Sequence, residues 1–235
     1  MNKHWVVIPA AGVGRRMQSE RPKQYLELLG RPLLSHVLQR FAQLPGLGSI
    51  VVALHPADRY WQEIFKPPGL NIQTVHGGAE RCHSVYNALV ALTGQAQEND
   101  WVLVHDAARP CIRISDVQRL MQRIERHQAG GLLALPLTDT VKQADAGGQS
   151  EATLDRERLW RAQTPQVFRY GLLKKALHLA LEQNIFVTDE AQAMEIVRYR
   201  PLLVAGSADN IKITGMQDMK IAELFLQLQA QEQSL

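Results

Sequence analysis

Four cations lie close together near the start of the chain, against a single acid. They are Arg15, Arg16, Arg21 and Lys23, and the acid is Glu20. The segment just before them, Pro-Ala-Ala-Gly-Val-Gly at 9–14, is built of small residues that let the backbone approach a ligand closely. Small residues beside several cations favour a polyphosphate-binding loop, although an ordinary turn with a solvated basic surface has the same composition.

Two common phosphate-binding loops do not fit this stretch. A dinucleotide-binding loop that begins at Gly12 would need a glycine where Met17 stands, and a Walker A loop would need Gly-Lys-Ser/Thr there. NAD-dependent oxidoreductases and P-loop NTPases are therefore disfavoured. A glycine-containing loop with cationic side chains after a first strand is instead the general design of nucleotide-binding α/β transferases.

Two more polar stretches follow predicted strands. Asp106 and Arg109 come directly after the strand 101–105, and Gly78, with Ser84 beyond it, follows an earlier strand. Because open α/β sheets bind ligands at the carboxyl ends of their strands, we expect both stretches on the same edge as the first loop. The Asp106 carboxylate could accept sugar hydroxyls and Arg109 could bind a phosphate bidentately, whereas a turn residue and a surface ion pair are the competing interpretations.

Three other residues invite a chemical interpretation. His105 beside Asp106 suggests an acid–base dyad, but neighbours on a regular strand point to opposite faces, so the pair is not expected to share a pocket. Lys212, between two isoleucines, could reach a phosphate with its ammonium, or it could protect an edge strand from aggregation. Thr188 is predicted to cap a helix first and to contact a ligand second.

Alternating strands and helices must position these residues. Short apolar runs predict the strands, and apolar residues at helical spacing predict the helices. The predicted strands are 5–8, 50–54, 71–75, 101–105, 132–135, 202–204 and 211–213, and the predicted helices are 32–41, 60–64, 81–92, 115–127, 170–183, one starting at 188, and 216–229. This alternation predicts an α/β fold with a mostly parallel central sheet flanked by helices on both faces.

A mostly polar stretch from about 137 to 157 interrupts the alternation. It contains a Gly147-Gly148 turn and too little apolar surface to belong to the core, which predicts a β-hairpin. The hairpin either protrudes as an arm that packs on another subunit or lies loose on the surface. No linker divides the chain, so we expect a single domain of residues 1–235.

Composition disfavours several classes of protein. With 235 residues, 46% of them hydrophobic, the chain can bury a large core. A net charge of +3 without blocks of like charge does not suggest nucleic-acid binding, and no apolar run is long enough to span a membrane. The two cysteines, Cys82 and Cys111, have neither metal-binding nor paired spacing, which is typical of reduced thiols in a cytoplasmic protein.

Together, and in their order along the chain, these motifs resemble one family: the 2-C-methyl-D-erythritol 4-phosphate cytidylyltransferases of the non-mevalonate isoprenoid pathway. The matching positions are 9–17, 22–25, 77–78, 81, 84–85, 104–110, 139–142, 164–166, 188–191 and 208–212. The resemblance implies a Rossmann-like nucleotidyltransferase fold, CTP as the nucleotide and Mg²⁺ held mainly through the CTP phosphates. It also implies a homodimer joined through the β-arm.

The resemblance gives each matching residue a role. Arg16, Lys23 and Lys212 would hold and polarise the reacting phosphates, and Ala10, Ala11, Gly12, Gly78 and Ser84 would surround the nucleotide. Asp106, Arg109, Thr164 and Thr188 would hold the polyol phosphate, joined by Thr140 and Arg156 of the partner subunit. Many relatives carry aspartate after the Gly-Gly turn, where this chain has Ala79, so contacts to the base or ribose are expected from the Gly78 backbone and Ser84 instead.

The implied reaction is in-line attack of the substrate phosphate on the α-phosphorus of CTP, with release of pyrophosphate. A phosphate monoester is largely ionised at neutral pH, so the chemistry needs cations rather than a general base, which agrees with the candidate residues. Two alternatives stay open on the sequence. One is a ribitol 5-phosphate cytidylyltransferase, which shares the chemistry, and the other is a catalytically silent nucleotide sensor.

Overall fold

Short apolar runs form a seven-stranded sheet in the computed structural model, which describes residues 3–12 and 21–232. In chain order the strands are β1 (His4–Ala10), β2 (Glu27–Leu28), β3 (Arg31–Pro32), β4 (Leu47–Leu54), β5 (Ile72–His76), β6 (Trp101–Val104), β7 (Gly130–Pro136), β8 (Val141–Ala144), β9 (Ser150–Leu154), β10 (Trp160–Arg169) and β11 (Leu202–Ala205). The large sheet has the order β11-β7-β10-β6-β1-β4-β5, while β2 pairs with β3 and β8 pairs with β9.

The strand directions confirm the predicted fold class. Neighbours in the large sheet are parallel except β10, which runs antiparallel to both β6 and β7. β1 lies between β4 and β6, and its Val6, Val7 and Ile8 are fully buried. A parallel strand in this position is covered by helices on both faces, which explains why its sequence is continuously apolar rather than alternating.

Helices cover both faces of the sheet. They are α1 (Leu33–Phe41), α2 (Arg81–Ala91), α3 (Ile114–Ile124), α4 (Tyr170–Glu182), α5 (Glu190–Ile196) and α6 (Met216–Glu232). Side chains of α1 and α3 pack with Val6 and Ile8 of β1, whereas those of α2, α4 and α5 pack with Val7. The alternation of side chains along β1 therefore separates one apolar core on each face of the sheet, and a third cluster includes Met219, Ala222 and Leu226 of α6. Within the described ranges, none of the helices is long and apolar enough to cross a membrane.

Several elements differ from the sequence prediction, among them the short strands β2 and β3, which were not predicted. The predicted strand 211–213 is wrong, because Ile211 N donates to Asp209 O at 2.7 Å and so folds back within its own loop. The predicted helix 60–64 is a 3₁₀ turn at Trp61–Glu63. Strand β10 was not predicted, since Pro165 interrupts it and its register shifts between Ala162 and Gln166.

The predicted polar hairpin is present as β8 and β9. Val141 pairs with Leu154, and the strands are antiparallel. Every residue of β9 is exposed, and the two strands form a separate sheet that does not join the large one. The hairpin therefore stands away from the apolar cores, and its contact with a second subunit stays a prediction.

Candidate functional site

A cavity of about 560 Å³ lies where β1 and β6 end. Its wall is assembled from chain segments that are distant in sequence, namely 9–12, 23–24, 78–81, 84, 106–108, 212 and 214. Three of these segments directly follow parallel strands, so the cavity occupies the edge at which open α/β sheets bind ligands. The sequence prediction that these loops share one edge is thus confirmed by the geometry.

One wall is formed by small residues packed closely together. Ala10, Ala11 and Gly12 lie opposite the Gly-Gly turn, in which Gly78 N donates to Ser84 Oγ at 3.1 Å. A Cβ atom added at Gly77 would lie 2.3 Å from Ala11 Cβ, so only glycine lets the turn approach the first loop. This wall brings together the five residues that the sequence assigned to the nucleotide.

A second wall of the cavity centres on Asp106, which three cations contact. Arg81 Nε lies 3.2 Å from Oδ1, while Lys212 Nζ and Arg109 Nε lie 3.0 and 3.3 Å from Oδ2. Burial alone would raise the pKa of Asp106, but the charges of Arg81, Lys212 and Arg109 hold it well below its usual range. The carboxylate is therefore ionised at neutral pH and can accept hydrogen bonds from hydroxyl groups.

Arg81 is a member of the site that the sequence analysis did not assign. Its guanidinium donates to both carboxylate oxygens of Glu190, at 2.6 and 3.0 Å, while its Nε faces Asp106. Glu190 is fully buried, and burial raises its pKa above the usual range. A signal was present in the sequence, because Arg81 begins a helix, where the macrodipole disfavours a cation.

Arg109 lies behind the cavity wall and helps to hold it. The residue is buried, and its Nη1 donates to the backbone oxygen of Asn210 at 2.7 Å. Its backbone N donates to Asp106 O at 3.1 Å, which closes a turn over residues 106–109. Arg109 is not among the residues that line the cavity.

Lys23 contributes a second ammonium group to the cavity. Its Nζ donates to the backbone oxygen of Ile213 at 2.8 Å, which places it beside the segment that carries Lys212. Arg16, the third cation that the sequence assigned to the phosphates, lies outside the described residues.

Four further residues assigned from the sequence do not line the cavity of their own chain. Thr164 is buried, and its Oγ1 accepts from Asp106 N at 3.1 Å. Thr188 is exposed and donates to Gln192 Oε1; the helix cap predicted there is provided by Asp189. Thr140 and Arg156 lie exposed on the arm, and Arg156 donates to Thr138 O at 2.6 Å.

The fold and this cavity define a class of protein. A mostly parallel sheet, a loop of small residues and a set of cations at the strand ends are the features of an α/β nucleotidyltransferase. A family model described as "IspD: 2-C-methyl-D-erythritol 4-phosphate cytidylyltransferase" matches residues 4–228. The chain belongs to this family.

Individual relatives agree with the family model. The chain is 49% identical over 232 residues to a 2-C-methyl-D-erythritol 4-phosphate cytidylyltransferase of Hahella chejuensis, covering 99% of this chain and 96% of the relative. It is 48% identical over 217 residues to the enzyme of that name from Pseudomonas putida strain GB-1, covering 92% of each chain.

Solved structures give the same result. A crystal structure of a 4-diphosphocytidyl-2C-methyl-D-erythritol synthase superposes with a TM-score of 0.83 at 38% identity, covering 96% of this chain and 99% of the other. The Francisella tularensis enzyme superposes with a TM-score of 0.82 at 38% identity, covering 95% and 99%. The predicted family, the predicted activity and the predicted enzyme class are thus confirmed, and the ribitol phosphate enzyme and the silent sensor are not favoured.

Proposed function

We propose that the two walls of the cavity bind the two substrates of the family's reaction. CTP lies against Ala10–Gly12, Gly78 and Ser84, and 2-C-methyl-D-erythritol 4-phosphate lies against the wall centred on Asp106. The observation that supports this arrangement is a single cavity of about 560 Å³ with a wall of small residues on one side and a carboxylate among cations on the other. The products are 4-diphosphocytidyl-2-C-methyl-D-erythritol and pyrophosphate.

The reaction needs no general base from the protein. The second pKa of a phosphate monoester is about 6, so the attacking oxygen is already ionised at neutral pH. Among the described residues, those that line the cavity include neither histidine nor cysteine. The work of the site is therefore to bring two anions together and to stabilise the charge that develops on the transferred phosphoryl group.

The lysines on the cavity wall supply that stabilisation. Lys23 and Lys212 both line the cavity; Lys23 Nζ donates to Ile213 O at 2.8 Å, and Lys212 Nζ lies 3.0 Å from Asp106 Oδ2. We assign them to the α-phosphate and to the departing pyrophosphate, together with Arg16. Asp106 accepts hydroxyl hydrogen bonds from the sugar phosphate, while Arg81 keeps its carboxylate in place.

Magnesium is part of the proposal, held mainly through the nucleotide. In the described part of the chain, no group of three or more histidine, cysteine, aspartate or glutamate side chains could hold a metal ion. Asp106, on the cavity wall, already faces three cations. The residues that line the cavity are therefore compatible with a magnesium ion that enters bound to the CTP phosphates. When bound there, Mg²⁺ neutralises charge on the triphosphate.

A homodimer completes the proposed site. Thr140 and Arg156 lie on an arm that is exposed and does not join the central sheet, so their side chains are available to a second subunit. We assign them to the sugar phosphate in the partner's cavity. A cytoplasmic location is also proposed, because Cys82 and Cys111 are buried free thiols of the kind that persist in reducing compartments.

A pyrophosphate-release assay tests this function. Purified protein with CTP, Mg²⁺ and 2-C-methyl-D-erythritol 4-phosphate should release pyrophosphate, and ribitol 5-phosphate should be a much poorer substrate. Lys212→Ala should lower the rate, while Lys220→Ala, which removes an exposed lysine from α6, is the matched control. Absence of turnover with the methylerythritol substrate, or a preference for ribitol 5-phosphate, would refute the assignment.

A further inference from the structure

His105 is fully buried directly after β6, and it is not among the residues that line the cavity. Both of its ring nitrogens nevertheless have polar partners. Nε2 lies 3.0 Å from the backbone oxygen of Arg109, and Nδ1 lies 3.1 Å from Thr164 Oγ1. A buried imidazole with two such partners holds a defined orientation, and the ring also contacts Phe41 edge-on, with centroids 5.1 Å apart.

The partners determine which nitrogen carries the proton. A backbone oxygen can only accept a hydrogen bond, so Nε2 carries the proton and donates it to Arg109 O. In the neutral imidazole Nδ1 then accepts from the hydroxyl of Thr164. Burial keeps the ring neutral, because it lowers the pKa of His105 to about 4.

Three hydrogen bonds follow one another in a chain, and each group donates to the next. The backbone N of Asp106 donates to Thr164 Oγ1 at 3.1 Å, Thr164 donates to His105, and His105 donates to Arg109 O. Asp106 and Arg109 are the first and last residues of the turn over 106–109, which a bond from Arg109 N to Asp106 O also closes at 3.1 Å. The chain therefore ties together both ends of the turn from its buried side.

This turn carries one wall of the cavity only. Asp106 projects from its first residue, and Arg109 Nε lies 3.3 Å from the Asp106 carboxylate. The nucleotide wall is built on other segments, 10–12, 78 and 84, and in the described part of the chain the hydrogen bonds of the His105 and Thr164 side chains go to Arg109, Asp106 and each other. A change at His105 should therefore affect the two substrates differently.

We propose that His105 is a positioning residue for the sugar phosphate: with Thr164 as its link, it holds the 106–109 turn in the geometry that binds this substrate. It transfers no proton in the reaction. The inference rests on the proposed function in one respect, the assignment of the Asp106 wall to 2-C-methyl-D-erythritol 4-phosphate.

Steady-state kinetics with two variants test the proposal. His105→Leu removes both hydrogen bonds, and Thr164→Val removes the hydroxyl while keeping the shape of the side chain. Each should raise KM for 2-C-methyl-D-erythritol 4-phosphate about tenfold, the scale of one or two lost hydrogen bonds. The dissociation constant for CTP, measured by calorimetric titration without the second substrate, should change less than about twofold. The double variant should raise KM by about as much as the more severe of the two single variants, because both residues belong to the same chain of hydrogen bonds.

Several results would overturn the proposal. Equal losses of affinity for both substrates would indicate a merely structural role, and a fall in kcat at unchanged KM would indicate a role in the chemical step. Loss of an ionisation from the pH profile of kcat/KM in His105→Leu would indicate proton transfer. If His105→Leu does not fold, Thr164→Val alone decides between these outcomes. Absence of turnover in the unmodified protein would instead be a failure of the proposed function.

Discussion

Replacing Arg81 with methionine should destabilise the fold, because it leaves a buried carboxylate without its partner. Glu190 is fully buried, and both of its oxygens accept hydrogen bonds from the Arg81 guanidinium, at 2.6 and 3.0 Å. Methionine keeps much of the arginine stem but provides no charge. The Glu190 carboxyl would then have to be protonated or remain as an unpaired buried anion, and either state raises the free energy of the folded chain.

The expected size of the effect follows from burial. Removing one partner of a buried ion pair costs about 3–5 kcal/mol, and the lower end applies here because 24% of the Arg81 side chain is exposed. For a chain of 235 residues, about 3 kcal/mol corresponds to a fall in Tm of roughly 6–12 °C. Replacing both partners should cost less than the sum of the single changes, since the buried Glu190 carboxylate is then removed together with its partner.

Urea unfolding at one fixed protein concentration measures this effect, because the proposed dimerisation would make the apparent stability depend on concentration. The set comprises Arg81→Met, Glu190→Met, the double variant and Arg123→Met. The last removes an exposed arginine from α3 and serves as the control, with an expected change below about 0.5 kcal/mol. The reasoning is refuted if the free energies of the two single changes add to within about 0.5 kcal/mol in the double variant.

Three further predictions concern pH, catalysis and assembly. The pKa of His105 is about 4 in the folded chain and 6.5 unfolded, so the unfolded chain binds more protons between these values. His105 should contribute a fall of about 3 kcal/mol in the free energy of unfolding between pH 7 and pH 4, and a urea-unfolding series should show a correspondingly smaller fall in His105→Leu. Lys23→Ala should lower kcat about 100-fold or more, on the scale of one lost transition-state donor, and near-normal turnover would exclude that role. Mixing Arg16→Ala and Arg156→Ala subunits should restore activity if the arm of one subunit completes the site of the other; no recovery would count against a shared site.

Much of the fold could be predicted because its signals are local. Runs such as 5–8 and 50–54 are apolar, β-branched and short, which is how strands buried on both faces are encoded. The edge of the sheet that carries the cavity followed from the rule that ligands bind at strand carboxyl ends. Local sequence signals do not predict a strand that forms mainly because it pairs with other strands, as β10 does between β6 and β7.

The sequence predicted those residues of the candidate site that lie in segments with a recognisable local pattern, such as a loop directly after a strand. Gly78, Ser84 and Asp106 reach one cavity, as their positions after predicted strands suggested, and Lys212 reaches it too although the strand predicted for it is absent. The pairing of Arg81 with Glu190 was not predictable, because the residues are 109 positions apart and no local pattern joins them. Contacts of this kind depend on the packing of one helix against another, which the sequence of neither helix reveals.

The charge distribution of the cavity explains why one carboxylate lies among several cations. Lys23, Arg81, Arg109 and Lys212 would repel one another, yet all must be in place before two phosphate compounds bind. Asp106 lies within 3.3 Å of three of them and supplies the counter-charge that fixes their positions. Because the pKa of Asp106 lies well below its usual range, it remains ionised at neutral pH, where the substrate phosphate is also ionised. The cations are thus oriented by the fold itself, and stabilisation of this preorganised kind requires no rearrangement during the reaction.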